Sequence, residues 1–254
     1  MFLGPGPFSP PYTRDDFDRL AALGANYVNT SHPGLFTEKP PYVLDRAAQA
    51  NLDRPLEMAK KAGLFAVISF RTGPGHSEFT FLLSDLGDWF SAKYLNDSVW
   101  GDPEAQAAWA EMWRHTAERY RDNPIVVGYD LMVEPNFNEV GSDFIHDRLD
   151  IWDPEEFYAK YGGTLYDWNQ FYPCIVAAIR EVDPETPILV GAMAYSAVEW
   201  LPYLEPTDDP RTVYTVHQYA PFLYTHQWWD DLRFTYPGRF DTDWDGEPED
   251  FNRA

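Results

Sequence analysis

An α/β fold of the (β/α)8 barrel type, the TIM barrel, is what the sequence predicts, with about five of the eight strands readable and residues 1–254 assigned to one partial barrel domain. Three observations carry the prediction. Short apolar runs that suit strands covered on both faces alternate with amphipathic helical stretches, as in a parallel sheet wrapped by helices. The helix-to-strand connections that read clearly are short, whereas the strand-to-helix segments after Thr30, Phe70, Glu134 and His217 are long and hold Trp89, Trp100, Trp152, Trp228 and Trp229. The run from Ile125 to Asn136 drives an apolar strand into Glu134 and Pro135, and the carboxyl ends of barrel strands are where reactive groups gather. An open doubly wound sheet shares the first two features. Against its dinucleotide-binding version, no G-x-G-x-x-G turn opens any of these helices and no G-x-x-x-x-G-K-[ST] occurs.

Each element has a local cause. Thr13 with Asp16 three residues on forms a capping box, and Phe17, Leu20, Ala21 and Leu23 follow at helical spacing until Gly24. Residues 26–30 make the next strand. Asp53 ahead of Arg54-Pro55 opens a second helix with Leu56, Ala59 and Ala62 on one side, closed by Gly63 and followed by a buried strand over 65–70. Asp102-Pro103 starts a third helix carrying Ala105, Ala108, Trp109, Met112, Thr116 and Tyr120, and Asn123-Pro124 stops it before the strand that delivers Glu134. Asp167 begins a fourth helix with Phe171, Ile175, Ala178, Ile179 and Val182, halted at Asp183-Pro184. Strands over 188–191 and 213–217 follow, with a short helix over 197–204 between them despite Pro202. Residues 245–250 read as a loop leading into a helix.

Composition narrows the partners. The 41 acidic against 19 basic residues give a formal charge of -22, which repels phosphate backbones and anionic membrane surfaces, so neither nucleic acid nor membrane is an expected partner. Residues 1–5 lack the basic and apolar pattern of a secretory signal, and no stretch approaches a spanning helix, which leaves localisation open. The single cysteine, Cys174, excludes an intramolecular disulfide and reads as a buried, inert thiol on the apolar side of its helix. Aromatics reach 17% of the chain, and the loop tryptophans, Trp228 among them, offer ring faces for something flat and uncharged.

The residues with chemistry to offer converge on carboxylates. Side chains alternate along a strand, so Gly128, Asp130, Met132 and Glu134 share one side, the interior if Glu134 points at the pocket. Glu134 then meets a substrate, while Asp130 sits deeper and orders the barrel floor; a solvated loop-edge glutamate is the alternative. Arg71 ends the second strand reading, where its fork reaches the same pocket or makes a structural salt bridge. His217 and Tyr219, two apart, share a face and bind hydroxyls or steady a carboxylate, with a core histidine as the alternative. The six histidines show no H-x-H after a strand, G-x-S-x-G is absent, and no cofactor is called for.

The segment from Gly128 to Pro135 resembles the acid/base strand of family 5 and related clan A glycoside hydrolases, which normally ends Asn-Glu-Pro, and His217-Gln218-Tyr219 is similar to their His-x-Tyr. The resemblance covers strands two to six of that barrel. It implies a retaining β-glycoside hydrolase on a neutral β-linked glucan or mannan, in which Glu134 protonates the leaving oxygen and then activates water while a second glutamate forms the glycosyl-enzyme. That second glutamate is not evident. Glu247 and Glu249 stand in a polar stretch without an apolar strand, so the nucleophile is expected outside this chain, along with the first strand and the last two. Val133 replaces the usual Asn, Asn29 stands where the second strand usually gives Arg, and Arg71 occupies the usual His site. Arg71 is read as taking over the missing charge, and Asn29 or Asn136 the missing amide. An open piece of barrel is also expected to self-associate through its edges and to be inactive or poorly soluble alone. The rival reading is a noncatalytic carbohydrate-binding barrel or an inactive truncated remnant, which would keep the aromatic platforms and bind an oligo- or polysaccharide.

Overall fold

The computed structural model describes residues 12–77, 96–136, 151, 153–220, 222–225, 234–240 and 246–250. It divides into two units, Met1–Val216 and His217–Ala254. Five parallel strands run through the first unit: β1 (Tyr27–Asn29), β2 (Phe65–Ser69), β3 (Val126–Asp130), β4 (Ile188–Gly191) and β5 (Thr212–Thr215). They lie side by side in chain order, β1-β2-β3-β4-β5. A doubly wound sheet reverses its order at a switch point, whereas a barrel wall follows the chain without reversal, so the strand order decides for the barrel type.

The helices are α1 (Arg14–Ala22), α2 (Arg46–Ala62), α3 (Pro103–Tyr120), α4 (Pro154–Tyr161) and α5 (Trp168–Arg180). The backbone N–H and the hydroxyl of Thr13 each donate to Asp16 at 2.8 Å, so the expected capping box starts α1. Asp102 accepts the Glu104 N–H at 2.9 Å with Pro103 in the first turn of α3, and Asp167 accepts the Asn169 N–H at 2.9 Å to start α5. The expected start of α2 at Asp53 is wrong. Asp45 caps that helix by accepting the N–H groups of Ala47 and Ala48, and Pro55 lies inside it. Asp53 instead ties α2 to α3, accepting from Arg119 at 2.7 Å and from the Tyr120 hydroxyl at 2.8 Å. Helix α4, capped by Asp153, is an element the sequence reading missed. The short helix expected over 197–204 is present as a 3-10 helix at Val198–Tyr203, with Pro202 inside it.

The outward face of the sheet is the core. Phe70 packs its ring 4.5 Å from Trp113 of α3, and the Tyr129 hydroxyl donates to Asp183 beyond α5 at 2.8 Å. Ile68, Phe70, Tyr129, Ile188 and Val190 are all fully buried there. The inward face carries Asn29, Val67, Ser69, Gly128, Asp130 and Leu189. A Cβ on Gly128 would stand 2.8 Å from Leu189 and 3.4 Å from Val67, so the glycine admits its two neighbours. At its amino-terminal end this face is open: Tyr27 is 57% exposed, and Phe65 and Val213 are each 48% exposed. Val126 pairs with Ala66 and Gly128 with Val67, which leaves Val127 as an extra residue in β3.

Cys174 is exposed, against the expectation of a buried thiol. The buried stripe of α5 runs through Trp168, Phe171, Tyr172, Ile175, Val176 and Ile179, and position 174 falls on the other side. In the second unit, a helical turn at Phe222–Thr225 is followed by β6 (Arg239–Phe240) paired antiparallel with β7 (Glu249–Asp250). Of the stretch expected as a loop leading into a helix, residues 246–248 are loop, but Glu249–Asp250 is a short antiparallel strand and not the start of a helix, paired through Arg239↔Asp250 and Phe240↔Glu249. No helix among the described residues is long and apolar enough to cross a membrane.

Candidate active site

The carboxyl ends of β1, β2 and β3 continue past their regular ladders as a second set of backbone bonds. His32 N–H donates to Ser69 O at 2.8 Å, Arg71 N–H to His32 O at 3.0 Å, and Val133 N–H to Phe70 O at 2.9 Å. These bonds hold Ser31, Arg71 and Glu134 at one level on three adjacent strand ends. Arg71 Nη1 lies 3.6 Å from Glu134 Oε2, with both side chains 11% exposed. At that length the contact is an ion pair and not a hydrogen bond, and burial makes such pairing obligatory, since an unpaired charge out of water is costly. The third member is Ser31, whose Oγ accepts from Arg71 Nε at 3.3 Å. Asn29 Oδ1 in turn accepts the Ser31 N–H at 3.1 Å and the Ser69 hydroxyl.

The backbone here is held in a sparsely populated conformation. Ser31, Glu134, Ala194, Tyr195 and Ser196 have φ of 37°, 56°, 54°, 61° and 60°, and Tyr42 is the other non-glycine residue with positive φ among those described. Each costs about 1–2 kcal/mol relative to right-handed backbone. Five of these six residues lie in the segments just beyond the ends of β1, β3 and β4, so the strain is concentrated at the mouth. Tyr195 N–H donates to Pro135 O at 3.3 Å and ties the turn after β4 to the residue beyond Glu134. Gly191 makes that turn possible: a Cβ there would collide with Ser196, whose Cβ would be 2.9 Å away.

Two indole clamps fix the strand ends from behind. The Leu131 carbonyl, just past β3, accepts Trp113 Nε1 at 2.8 Å and Trp109 Nε1 at 3.2 Å, both from α3. The Gly191 carbonyl at the end of β4 accepts Trp168 Nε1 from α5 at 2.9 Å. The expected strand running to Glu134 accordingly stops at Asp130, and residues 131–134 form bends.

Two histidines near the mouth are structural. His32 faces α2, with Nδ1 2.6 Å from Pro33 O and Nε2 3.2 Å from Asn51 Nδ2, and burial pushes its imidazole down to about 4. It is therefore neutral near pH 7, donating through Nδ1 and accepting at Nε2. His76 Nδ1 lies 2.6 Å from Asp97 Oδ1 inside the loop after β2. Burial pushes the Asp97 carboxyl up, and the neighbouring His76 pulls it back.

Of the residues singled out from sequence, Arg71 and Glu134 come together, and Asn136 is buried two positions on, at 6% exposure. Asp130, at the end of β3 opposite Ser69, is buried on the inward face. His217 and Tyr219 belong to the second unit, beyond the end of β5 at Thr215, where Tyr219 is 40% exposed and its carbonyl accepts the Thr225 hydroxyl at 2.6 Å. Trp228 lies outside the described residues, as do Trp89, Trp152 and Trp229. Trp100, expected in an elaborated loop, is a core residue, fully buried edge-on to Trp168 at 6.1 Å. Sequence reasoning missed Ser31, Trp113, Trp168 and the left-handed run after β4. Trp113 had a signal, since it stands four residues after Trp109 on the same helix face; the left-handed residues had none, because no Gly or Asn marks them.

Comparison with known proteins agrees with this fold. The family model described as cellulase, glycosyl hydrolase family 5, matches residues 6–247. Endoglucanase C of Acetivibrio thermocellus is 24% identical over 239 residues, covering 90% of this chain and 59% of its own length. Cellodextrinase A of Ruminococcus flavefaciens is 27% identical over 184 residues, covering 71% of this chain and 44% of its own. The chain thus spans 59% of the length of the first curated relative it matches. Among solved structures, endoglucanase Cel5A from Thermotoga maritima superposes with a TM-score of 0.61 at 20% identity, covering 87% of this chain and 58% of that one, which shows a shared fold. Strand order, the carboxylate at the end of β3 and the family match over residues 6–247 converge: the chain belongs to the cellulase family, glycosyl hydrolase family 5.

Proposed function

We propose that this protein is a retaining β-glycoside hydrolase acting on a neutral β-linked glucan or mannan, with Glu134 as its acid/base. The observation that carries the reading is the buried Arg71–Glu134 pair at the carboxyl ends of β2 and β3 in a chain of this family. In the first step Glu134 gives its proton to the glycosidic oxygen while a carboxylate nucleophile attacks the anomeric carbon. In the second step Glu134, now ionised, takes a proton from the water that releases the sugar. A formal charge of -22 favours neutral over anionic polysaccharides. Several of the relatives are named endoglucanases and one a cellodextrinase, which supports a β-glucan as the first substrate to try. We assign substrate contacts to Arg71, Asn136, His217, Tyr219 and Trp228.

The test exploits the dependence of acid catalysis on the leaving group. In Glu134→Gln, hydrolysis of unactivated oligosaccharides is expected to fall by about 10²–10⁴-fold. Dinitrophenyl glycosides, whose leaving group needs no proton, should lose far less in the first step and should be rescued in the second by azide. Equal turnover of wild type and variant on both substrate types removes Glu134 from the mechanism. Oligosaccharide binding by a wild type that turns over neither favours a noncatalytic carbohydrate-binding barrel.

A further inference from the structure

The position of Arg71 in this chain raises the question of what aims it. A guanidinium on a flexible stem gives up rotamer freedom when fixed, and an ion-pair contact at 3.6 Å is too long to fix it as a hydrogen bond would. A directional contact lies on the other side of the group, where Nε donates to Ser31 Oγ at 3.3 Å. Ser31 is itself held from two directions. Its N–H is 3.1 Å from both Asn29 Oδ1 and Ser69 Oγ, and Ser69 donates its hydroxyl to Asn29. With φ of 37°, Ser31 occupies a backbone region that an L residue adopts only when its surroundings over-determine it. The four side chains lie on the inward face of β1 and β2, so the chain of contacts runs Asn29, Ser69, Ser31, Arg71 and ends at Glu134.

We infer that Ser31 is a positioning residue that sets the protonation of Glu134 by orienting Arg71, with Asn29 and Ser69 locking its geometry. The inference rests on the reading of Glu134 as the acid/base. Among the described residues of the first unit, the ionisable groups at these strand ends are His32 after β1, Arg71 after β2, Asp130 and Glu134 at and after β3, and the Tyr195 phenol after β4, while Glu38 in the loop after β1 lies at Thr72; His32 faces α2. Arg71 is thus the cation whose placement decides how strongly the ionised form of Glu134 is favoured. Without the Ser31 hydroxyl the guanidinium samples positions farther from the carboxylate, the attraction weakens, and Glu134 holds its proton to higher pH.

Ser31→Gly is the informative variant, because glycine accepts the positive φ without cost and removes only the hydroxymethyl group. Carbon-13 carboxyl NMR of the full chain, with the Glu134 signal identified by its absence in Glu134→Gln, reads the titration directly. The expected result is a titration midpoint about half a unit higher in Ser31→Gly, a matching upward move of the alkaline limb of kcat/KM, and a Tm equal to or above that of wild type. Ser31→Asn, whose side-chain oxygen accepts a hydrogen bond and which tolerates this backbone region, should restore part of the shift. An unchanged or lowered midpoint in Ser31→Gly overturns the inference, whatever happens to turnover. Absence of turnover in wild type, with the midpoint still shifted, bears on the proposed hydrolase alone and leaves the positioning role supported.

Discussion

The two ends of the same five strands are built on opposite terms. At the carboxyl ends, polar and charged groups are buried, three indole N–H groups hold two strand-end carbonyls, and five left-handed residues are forced into place. At the amino ends the backbone is relaxed, yet the inward side chains Tyr27, Phe65 and Val213 stand half in water. The difference teaches where folding free energy is invested in this unit. Packing from α3 and α5 offsets strain on the side that presents Arg71 and Glu134, while the opposite side leaves apolar surface uncovered.

The sharpest way to break that comparison is to remove a clamp. Trp113 is fully buried, packs tilted against Phe70 and holds the Leu131 carbonyl, so Trp113→Ala should lose about 3–5 kcal/mol in urea denaturation. A loss under 1 kcal/mol would mean the carboxyl end does not depend on α3. A second lever is pH. The folded state keeps His32 neutral down to about 4, whereas the unfolded imidazole protonates at its ordinary 6.5. Between those values the unfolded chain binds a proton that the folded one refuses, so this contribution is fully present above 6.5, declines as pH falls, and by pH 4 has removed about 3 kcal/mol. Denaturation midpoints from pH 6.5 to 5 should show the slope, and His32→Asn should flatten it.

Smaller effects sharpen the picture. Because Trp109 and Trp113 share one acceptor, Trp109→Phe and Trp113→Phe should be non-additive by about 1 kcal/mol, the second substitution costing more since it leaves the carbonyl unsatisfied. A double-mutant cycle that closes to zero would show that the two bonds act independently. At the amino ends, Phe65→Ser and Val213→Thr should change stability by no more than about 0.5 kcal/mol. They should also reduce concentration-dependent association in sedimentation velocity, if the open inward face is what draws copies together.

Much of this was legible because local chemistry and tertiary structure agreed. Thr13 with Asp16, Asp102-Pro103 and Asp167 each announce a helix start by a side chain that can accept an orphan N–H, and they start α1, α3 and α5. Asp53 looked the same and was misread, because its carboxylate had a tertiary partner in Arg119 and Tyr120 that a local pattern cannot reveal. The inward phase of β3 was legible only by counting back from Glu134. Counting forward from Val126 goes out of step, since Val127 is an extra residue that shifts the pairing by one. At the site, Glu134 and Arg71 were readable from their place after apolar runs. Ser31 was not, because what sets it apart is a backbone angle and two hydrogen bonds across strands, to Ser69 and from Arg71, neither of which leaves a trace in residue type.

The contact between Gly191 and Ser196 bears on how this lineage can vary. Every missense change in a glycine codon introduces a Cβ, so no single nucleotide step at position 191 escapes the collision. A larger residue becomes tolerable only after position 196 has shrunk, which makes the order of mutations matter. Among homologues, side chains at 191 should therefore appear only alongside glycine at 196, since alanine keeps the colliding Cβ, and a saturation library at 191 should be rescued by the S196G background.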